Sequence, residues 1–134
     1  MTINNRDRNE LIKYRLEQAN ETIEVIDLLI KNKKYSAAVN RIYYGIFYSL
    51  LALGLKYNFE TSKHLQLIGW FNKEFVSTKK IELEFGKILR KAYESRTSGD
   101  YDAFYEFETD DVLNLFDDMK RFIKRIEKII RTDI

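Results

Sequence analysis

Few residues in this chain have the type and setting to do chemistry. There is one histidine, His64, and there are two arginines in apolar surroundings, Arg41 and Arg96. Carboxylates follow Arg96 at Asp100 and Asp102, and Asn40 stands beside Arg41. A guanidinium is always charged and its planar fork of donors matches phosphate oxygens, so Arg41 and Arg96 are candidates for holding an anion. A guanidinium taken out of water without acceptors is costly, so each must find partners. Asp100 and Asp102 can supply them. Two readings stay open: a salt-bridge network tying the Arg96 helix and its following loop to the helix of Arg41, or a polar pocket whose arginines meet a phosphate. The neighbouring acids weigh toward the first, since they repel the same anion. His64, at a helix start, reads as a cap or a hydrogen-bonded loop residue, with catalysis as the alternative. Tyr43, Tyr44 and Tyr48 read as core or interface.

Other chemistries lack their residues. With no cysteine there is no disulfide, thiolate or zinc–sulfur site. No Asp, Glu and His cluster has metal-ligand spacing: the Glu-x-x-His of diiron bundles would need an acid three residues before His64, where Thr61 stands. No glycine-rich phosphate loop or nucleophile motif occurs, and neither metal nor cofactor is expected. The net charge of +2, from 23 basic and 21 acidic residues, gives no broad field to attract nucleic acid or anionic lipid. A nucleic-acid site must therefore be a local patch. The basic last helix reads as a solvated face, with Asp117–Arg121 and Glu127–Arg131 at pairing distance along it.

The elements that must position these residues are all helical. A length of 134 residues fits one domain, and the chain has no proline and only five glycines. Tyr35–Leu55 carries a single charge, Arg41, and is apolar on every side of the helical wheel, as in a helix covered all round. Its apolar run Ile42–Leu55 is shorter than the roughly 20 residues a bilayer needs, so a core helix is expected and no membrane contact. The N-terminal sequence has no apolar segment of signal-peptide type, which points to the cytoplasm.

Before this central helix, Ile12, Leu16, Ala19, Ile23, Ile26 and Ile30 mark one seam of a first helix that starts near Asp7 or Asn9. Asn32–Lys34 is a turn, with Ser36 as the expected N-cap of the central helix. A third helix is predicted over His64–Val76 and a fourth over Leu83–Ser98. In the fourth, Arg96 arrives where the apolar stripe calls for a core residue. Thr97–Glu108 has no helical period, and Gly99 is expected to close the fourth helix through a positive φ. A fifth helix starts at Thr109, with Asp110 and Asp111 in its first turn, and repeats the seam spacing of the first. Gly45 and Gly54 are assigned to close helix packing. The prediction is an all-α, up-and-down antiparallel bundle of about five helices in one domain spanning 1–134, in which the first and last helices can pair along their length.

Three stretches taken together resemble the HEPN domain. They are Ser36-Ala-Ala-Val-Asn-Arg-Ile-Tyr-Tyr44, then Lys63-His64 ahead of a helix ending in Phe75-Val76, then Arg96-x-x-x-Asp100-Tyr101. The resemblance runs from about Tyr35 to Tyr101, and the flanking helices suit the same bundle. It implies a helical homodimer with a site at the dimer interface. In many such proteins that site is a metal-independent endoribonuclease, in toxins paired with a small nucleotidyltransferase antitoxin or in defence systems. The family's active arginine matches Arg96. Its histidine, after four to six intervening residues, would fall at Tyr101, Asp102 or Ala103, and none of these is histidine. His64 can take that part only if the fold brings it beside Arg96.

These residues define the expected site: Arg96, Asp100 and Tyr101 as catalytic candidates, Asn40, Arg41, Tyr44 and His64 as ligand-binding ones. Three functions follow. The first is a dimeric nucleotide- or RNA-associated component of a toxin–antitoxin or defence system with a nucleotidyltransferase partner. The second is an endoribonuclease toxin with an altered active site. The third is a structural oligomerisation module.

Overall fold

The computed structural model describes residues 3–101 and 105–132. Five α-helices appear in chain order: α1 (Asn5–Lys31), α2 (Tyr35–Lys56), α3 (His64–Phe71), α4 (Leu83–Tyr101) and α5 (Thr109–Thr132). A π-helical turn, Asn72–Val76, extends α3. No strand occurs among the described residues. The fold class expected from the sequence, an all-α helical bundle, is the one observed.

Helix α2 is the centre. Thirteen of its residues are buried, and it packs against α1, α3, α4 and α5. Antiparallel pairing with α1 shows in two contacts: Arg41 near the start of α2 meets Thr22, while Ala52 and Leu55 near its end pack on Ile12. Helix α5 lies chiefly on α2. It does not run along the length of α1, and reaches the Ile12 cluster only near its own end, through Ile130. The fully apolar wheel of α2 offers more surface to bury than the narrower seam of α1, so α2 takes the contact.

Local signals set the boundaries, and some differ from expectation. Helix α1 starts earlier, with Asn4 as N-cap accepting from the Asp7 amide at 2.8 Å. Helix α2 needs no side-chain cap: the chain reverses through Lys33 at φ 59°, the Lys34 amide bonds the Leu29 carbonyl at 2.8 Å, and Ser36 is already helical. The third helix does not continue regularly to Val76. The Ser77 amide reaches back to the Asn72 carbonyl at 2.9 Å, the wide turn of a π-helix, with Phe71 and Phe75 both in the core. Helix α4 runs past Ser98 to Tyr101, and Gly99 is helical without a positive φ. What Gly99 provides is room, because a Cβ there would stand 3.0 Å from the Phe107 ring.

Gly45 does serve close helix packing, with the Met119 methyl of α5 filling the place of a side chain. Gly54 serves another purpose. After α2 the chain doubles back through Asn58 at φ 61°, and the Phe59 amide bonds the Gly54 carbonyl at 2.8 Å. A Cβ on Gly54 would stand 2.5 Å from the Phe59 carbonyl oxygen, a backbone atom that cannot swing aside. The acids near α5 also pair differently from expectation. Arg121 bonds Glu84 at 2.7 Å and Asp118 at 3.3 Å, Arg125 bonds Glu82 at 2.9 Å, and Lys120 takes Asp117. Much of the basic character of α5 is thus already matched by carboxylates.

Two glycine variants test this reading. Gly54→Ala is expected to destabilise by about 1–3 kcal/mol through overpacking against Phe59. Gly69→Ala, on an open face of α3 with nothing within 4 Å, should gain up to about 1 kcal/mol of helix propensity. Denaturant midpoints of the two variants check it, and a stability gain for Gly54→Ala would contradict the packing.

Candidate functional site

The site grows from one buried phenol. Tyr43 has no exposed surface, and α2 surrounds it with Tyr44 and with Phe47 one turn on. Burial pushes its ionisation well above the usual phenol range, so the hydroxyl keeps its proton. A buried hydroxyl needs a partner, and α3 supplies it: His64 Nδ1 lies 2.8 Å from the Tyr43 oxygen. The imidazole also stacks on Phe47, with ring centres 3.9 Å apart and planes 9° from parallel. Stacking and hydrogen bond together fix the ring at the start of α3.

Arg96 comes to the same place from α4. Its guanidinium sits 5.1 Å from the Tyr43 ring centre and 5.4 Å from that of Tyr44, and Nη2 donates to the Tyr44 hydroxyl at 3.5 Å. Arg96 interrupts its apolar stripe because the stripe here meets aromatic faces, which attract a cation. Asp100, one turn on, holds an oxygen 3.2 Å from Arg96 Nε. That contact is an ion pair rather than a directed hydrogen bond, so the buried Nε–H has no acceptor among the described residues.

The structure brings Arg96, Asp100, Tyr44 and His64 together, and Arg41 borders them. Arg41 is half-buried, donates to Thr22 of α1 at 3.3 Å and lies 6.0 Å from the Tyr44 ring centre. It makes no bond to Asp100, and among the described residues α4 is tied to α2 at this point by the cation–π contacts of Arg96 to Tyr43 and Tyr44. Asn40 is half-buried next to Arg41 and makes no side-chain hydrogen bond among the described residues. The Tyr101 side chain, and Asp102 and Ala103, lie outside the described residues. Sequence reasoning missed Tyr43 and Phe47 as site residues. The available signal was the i, i+4 pair on an all-buried helix, whose hydroxyl had to meet something.

The electrostatics follow. Burial first, and the Arg96 charge second, hold the His64 imidazole below the usual histidine range, so it is neutral at pH 7. The Tyr43 hydroxyl has no other acceptor among the described residues, so it donates to Nδ1 and the neutral ring carries its proton on Nε2. Arg96 and His64 thus form a set of hydrogen-bond donors in which Asp100 counters the Arg96 charge on one side. Such a set is suited to a phosphate and is pre-aligned by aromatic packing. No group of three His, Cys, Asp or Glu that could hold a metal occurs among the described residues.

The His64 state has a stability consequence. The folded imidazole binds fewer protons than the unfolded one, so its contribution is complete above about pH 6.5 and is lost as pH falls. His64→Gln keeps an acceptor for Tyr43 without titrating. The melting temperature of the native chain should therefore fall more steeply than that of the variant between about pH 7 and pH 5. Parallel curves would show that His64 is not held neutral.

Comparison with known proteins agrees with the architecture. The HEPN domain family matches residues 12–130. A UPF0332 protein of Thermotoga maritima is 38% identical over 124 residues, covering 92% of this chain and 94% of that protein. Two Methanocaldococcus jannaschii proteins, both named as proposed toxins, are also similar. One is 35% identical over 129 residues, covering 95% of this chain and 94% of its own length. The other is 31% identical over 125 residues, covering 93% and 84%. By its sequence match and its helical bundle, this chain belongs to the HEPN domain family.

Proposed function

We propose that this chain is a homodimeric, toxin-like HEPN protein that binds RNA or a nucleotide through a phosphate held by Arg96 and His64. We place it in a toxin–antitoxin or defence system beside a nucleotidyltransferase partner. The observation that carries the proposal is the meeting of Arg96 from α4 and His64 from α3 on one buried phenol, Tyr43. Core packing accounts for each contact singly, and it leaves the guanidinium and the chain's one imidazole at the same edge of the core. A phosphate ligand suits this pair of donors, because it accepts from Nε2–H and from the Arg96 edge that does not face Asp100. The names of the two archaeal relatives favour the toxin-like setting.

A surface beside the site supports the dimer. Leu65 on α3 and Leu83 on α4 are 67% and 62% exposed, and with Ile68, Leu89 and Tyr93 they line a groove of about 500 Å³. Large apolar side chains this open suit a second copy of the chain. A second reading, a metal-independent endoribonuclease with His64 in place of the missing downstream histidine, is favoured by the neutral imidazole beside Arg96. For that chemistry Nε2 must lose its proton to become a base, which the Tyr43 bond opposes in the resting state.

One experiment separates these readings. Purified protein is incubated with single-stranded and hairpin RNA in EDTA, and both binding and cleavage are followed, with gel filtration of the same sample. The proposal expects a dimer that binds RNA, with affinity falling roughly tenfold or more in Arg96→Ala, as for a lost charge-assisted hydrogen bond. Cleavage that survives EDTA and disappears in Arg96→Ala would establish the endoribonuclease. A dimer that neither binds nor cleaves RNA or nucleotide would overturn the proposal in favour of an oligomerisation module.

A further inference from the structure

The last turn of α4 is a weak piece of helix. Residues 97–100 read Thr-Ser-Gly-Asp. Each is a poorer helix former than alanine, glycine most of all. The carboxylate of Asp100 also sits at the C-terminal end, where it opposes the helix dipole, and no lysine or arginine stands in that turn to offset it. Yet the helix continues to Tyr101.

Two contacts hold the turn in place. Within α4, Asp100 pairs with Arg96 one turn back, at 3.2 Å. From outside, the Phe107 ring lies against Gly99, where an added Cβ would stand 3.0 Å from the ring and 3.5 Å from the Ser36 hydroxyl of α2. Phe107 is itself braced. It meets the Tyr105 ring edge-on with centres 4.7 Å apart and packs on the core, and two residues further on Thr109 donates to the Tyr35 hydroxyl at 3.0 Å.

The ion pair is the weaker of the two supports. The Arg96 side chain is 24% exposed and that of Asp100 40%, and pairs this open to water contribute little. The contact is also poorly directed, since the buried Arg96 Nε–H finds no acceptor among the described residues. The one directed bond of Arg96 is the 3.5 Å contact from Nη2 to Tyr44. A phosphate can take Nε–H and a neighbouring Nη–H together with two oxygens, which is the stronger geometry. The place that such a phosphate needs is the one beside Nε that the Asp100 carboxylate holds.

We infer that Asp100 is an internal anion that occupies Arg96 in the free protein, and that the last turn of α4 opens when a phosphate takes its place. Phe107 is the positioning residue: by bracing Gly99 it sets how readily Asp100 yields. The inference rests on the proposed phosphate binding and deepens it, giving the site a built-in competitor and tying its affinity to the segment ahead of α5.

The test uses the full chain, Asp100→Asn, Phe107→Ala and the double variant. Each is titrated with inorganic phosphate and with a single-stranded RNA by calorimetry, and amide exchange of residues 97–100 is followed by NMR. Asp100→Asn should tighten phosphate binding roughly three- to tenfold, the scale of one partly screened charge. Phe107→Ala should act in the same direction by a smaller factor and add nothing once Asp100 is asparagine, because it works through that carboxylate. Phosphate should speed amide exchange at Gly99 and Asp100 in the native chain, where a ligand that merely rigidifies the helix slows it. Circular dichroism confirms folding, and the exposed Asp100 keeps the test valid if Phe107→Ala unfolds. Equal or weaker binding by Asp100→Asn, or slower exchange of the turn on adding phosphate, would overturn the inference and leave the binding itself standing. An undiminished Phe107→Ala effect in the double variant would also overturn it, by separating Phe107 from Asp100. Absence of phosphate and RNA binding in every chain would overturn the proposed function and this inference together.

Discussion

Tyr43 is enclosed on every side, so its hydroxyl must find a partner inside the fold. An unmet buried hydroxyl costs about 1–3 kcal/mol, a large share of the stability of a domain this size. The partner is His64, and this one bond fixes much else. It sets where α3 begins, holds the imidazole flat against Phe47, and leaves the aromatic surface of Tyr43 and Tyr44 to attract the Arg96 guanidinium. The same contacts that close the core therefore assemble a charged donor set at its edge.

A division of labour follows within α2. Residues such as Ile42, Ile46, Leu50 and Leu53 have no exposed surface and hold the bundle together. Arg41, Tyr44, Tyr48 and Leu51 are only half-covered. The short α3 and the loop folded back over Gly54 leave this strip of α2 open beside them. A helix that looks uniformly apolar in sequence is thus a core on most of its surface and a half-covered strip on the rest. The strip is bordered by cations from α1 and α4, while many cations of α5 are held by Glu82, Glu84, Asp117 and Asp118. A chain with a net charge of only +2 can in this way still present a local positive surface.

Most of the fold was legible in the sequence because helical periodicity is a local signal. The seams of α1 and α5, the apolar wheel of α2 and the strong start at Thr109 need no tertiary information. What failed at the boundaries depended on partners far along the chain. Gly99 looked like a helix terminator, but it is small because Phe107 leans on it. Gly54 looked like a helix contact, but it makes space for the returning backbone at Phe59. At the site, Arg96 was identifiable as a charge in a core register, and His64 as the chain's one imidazole. Their meeting on Tyr43 was not, because it joins positions 43, 64 and 96 on three helices, and no periodicity links them. The acceptor that Arg41 meets, Thr22, could not be read from the sequence, because it lies on α1 and carries no charge to betray it.

The presence of a single histidine makes the central claim directly measurable. Nitrogen-15 NMR of the imidazole yields its tautomer and its titration without ambiguity of assignment. The account predicts a neutral ring at pH 7 with the proton on Nε2 and Nδ1 accepting from Tyr43, and a pKa that rises when Arg96 is replaced by alanine. A ring that titrates at or above the ordinary histidine value, carries its proton on Nδ1 and ignores the loss of Arg96 would contradict it.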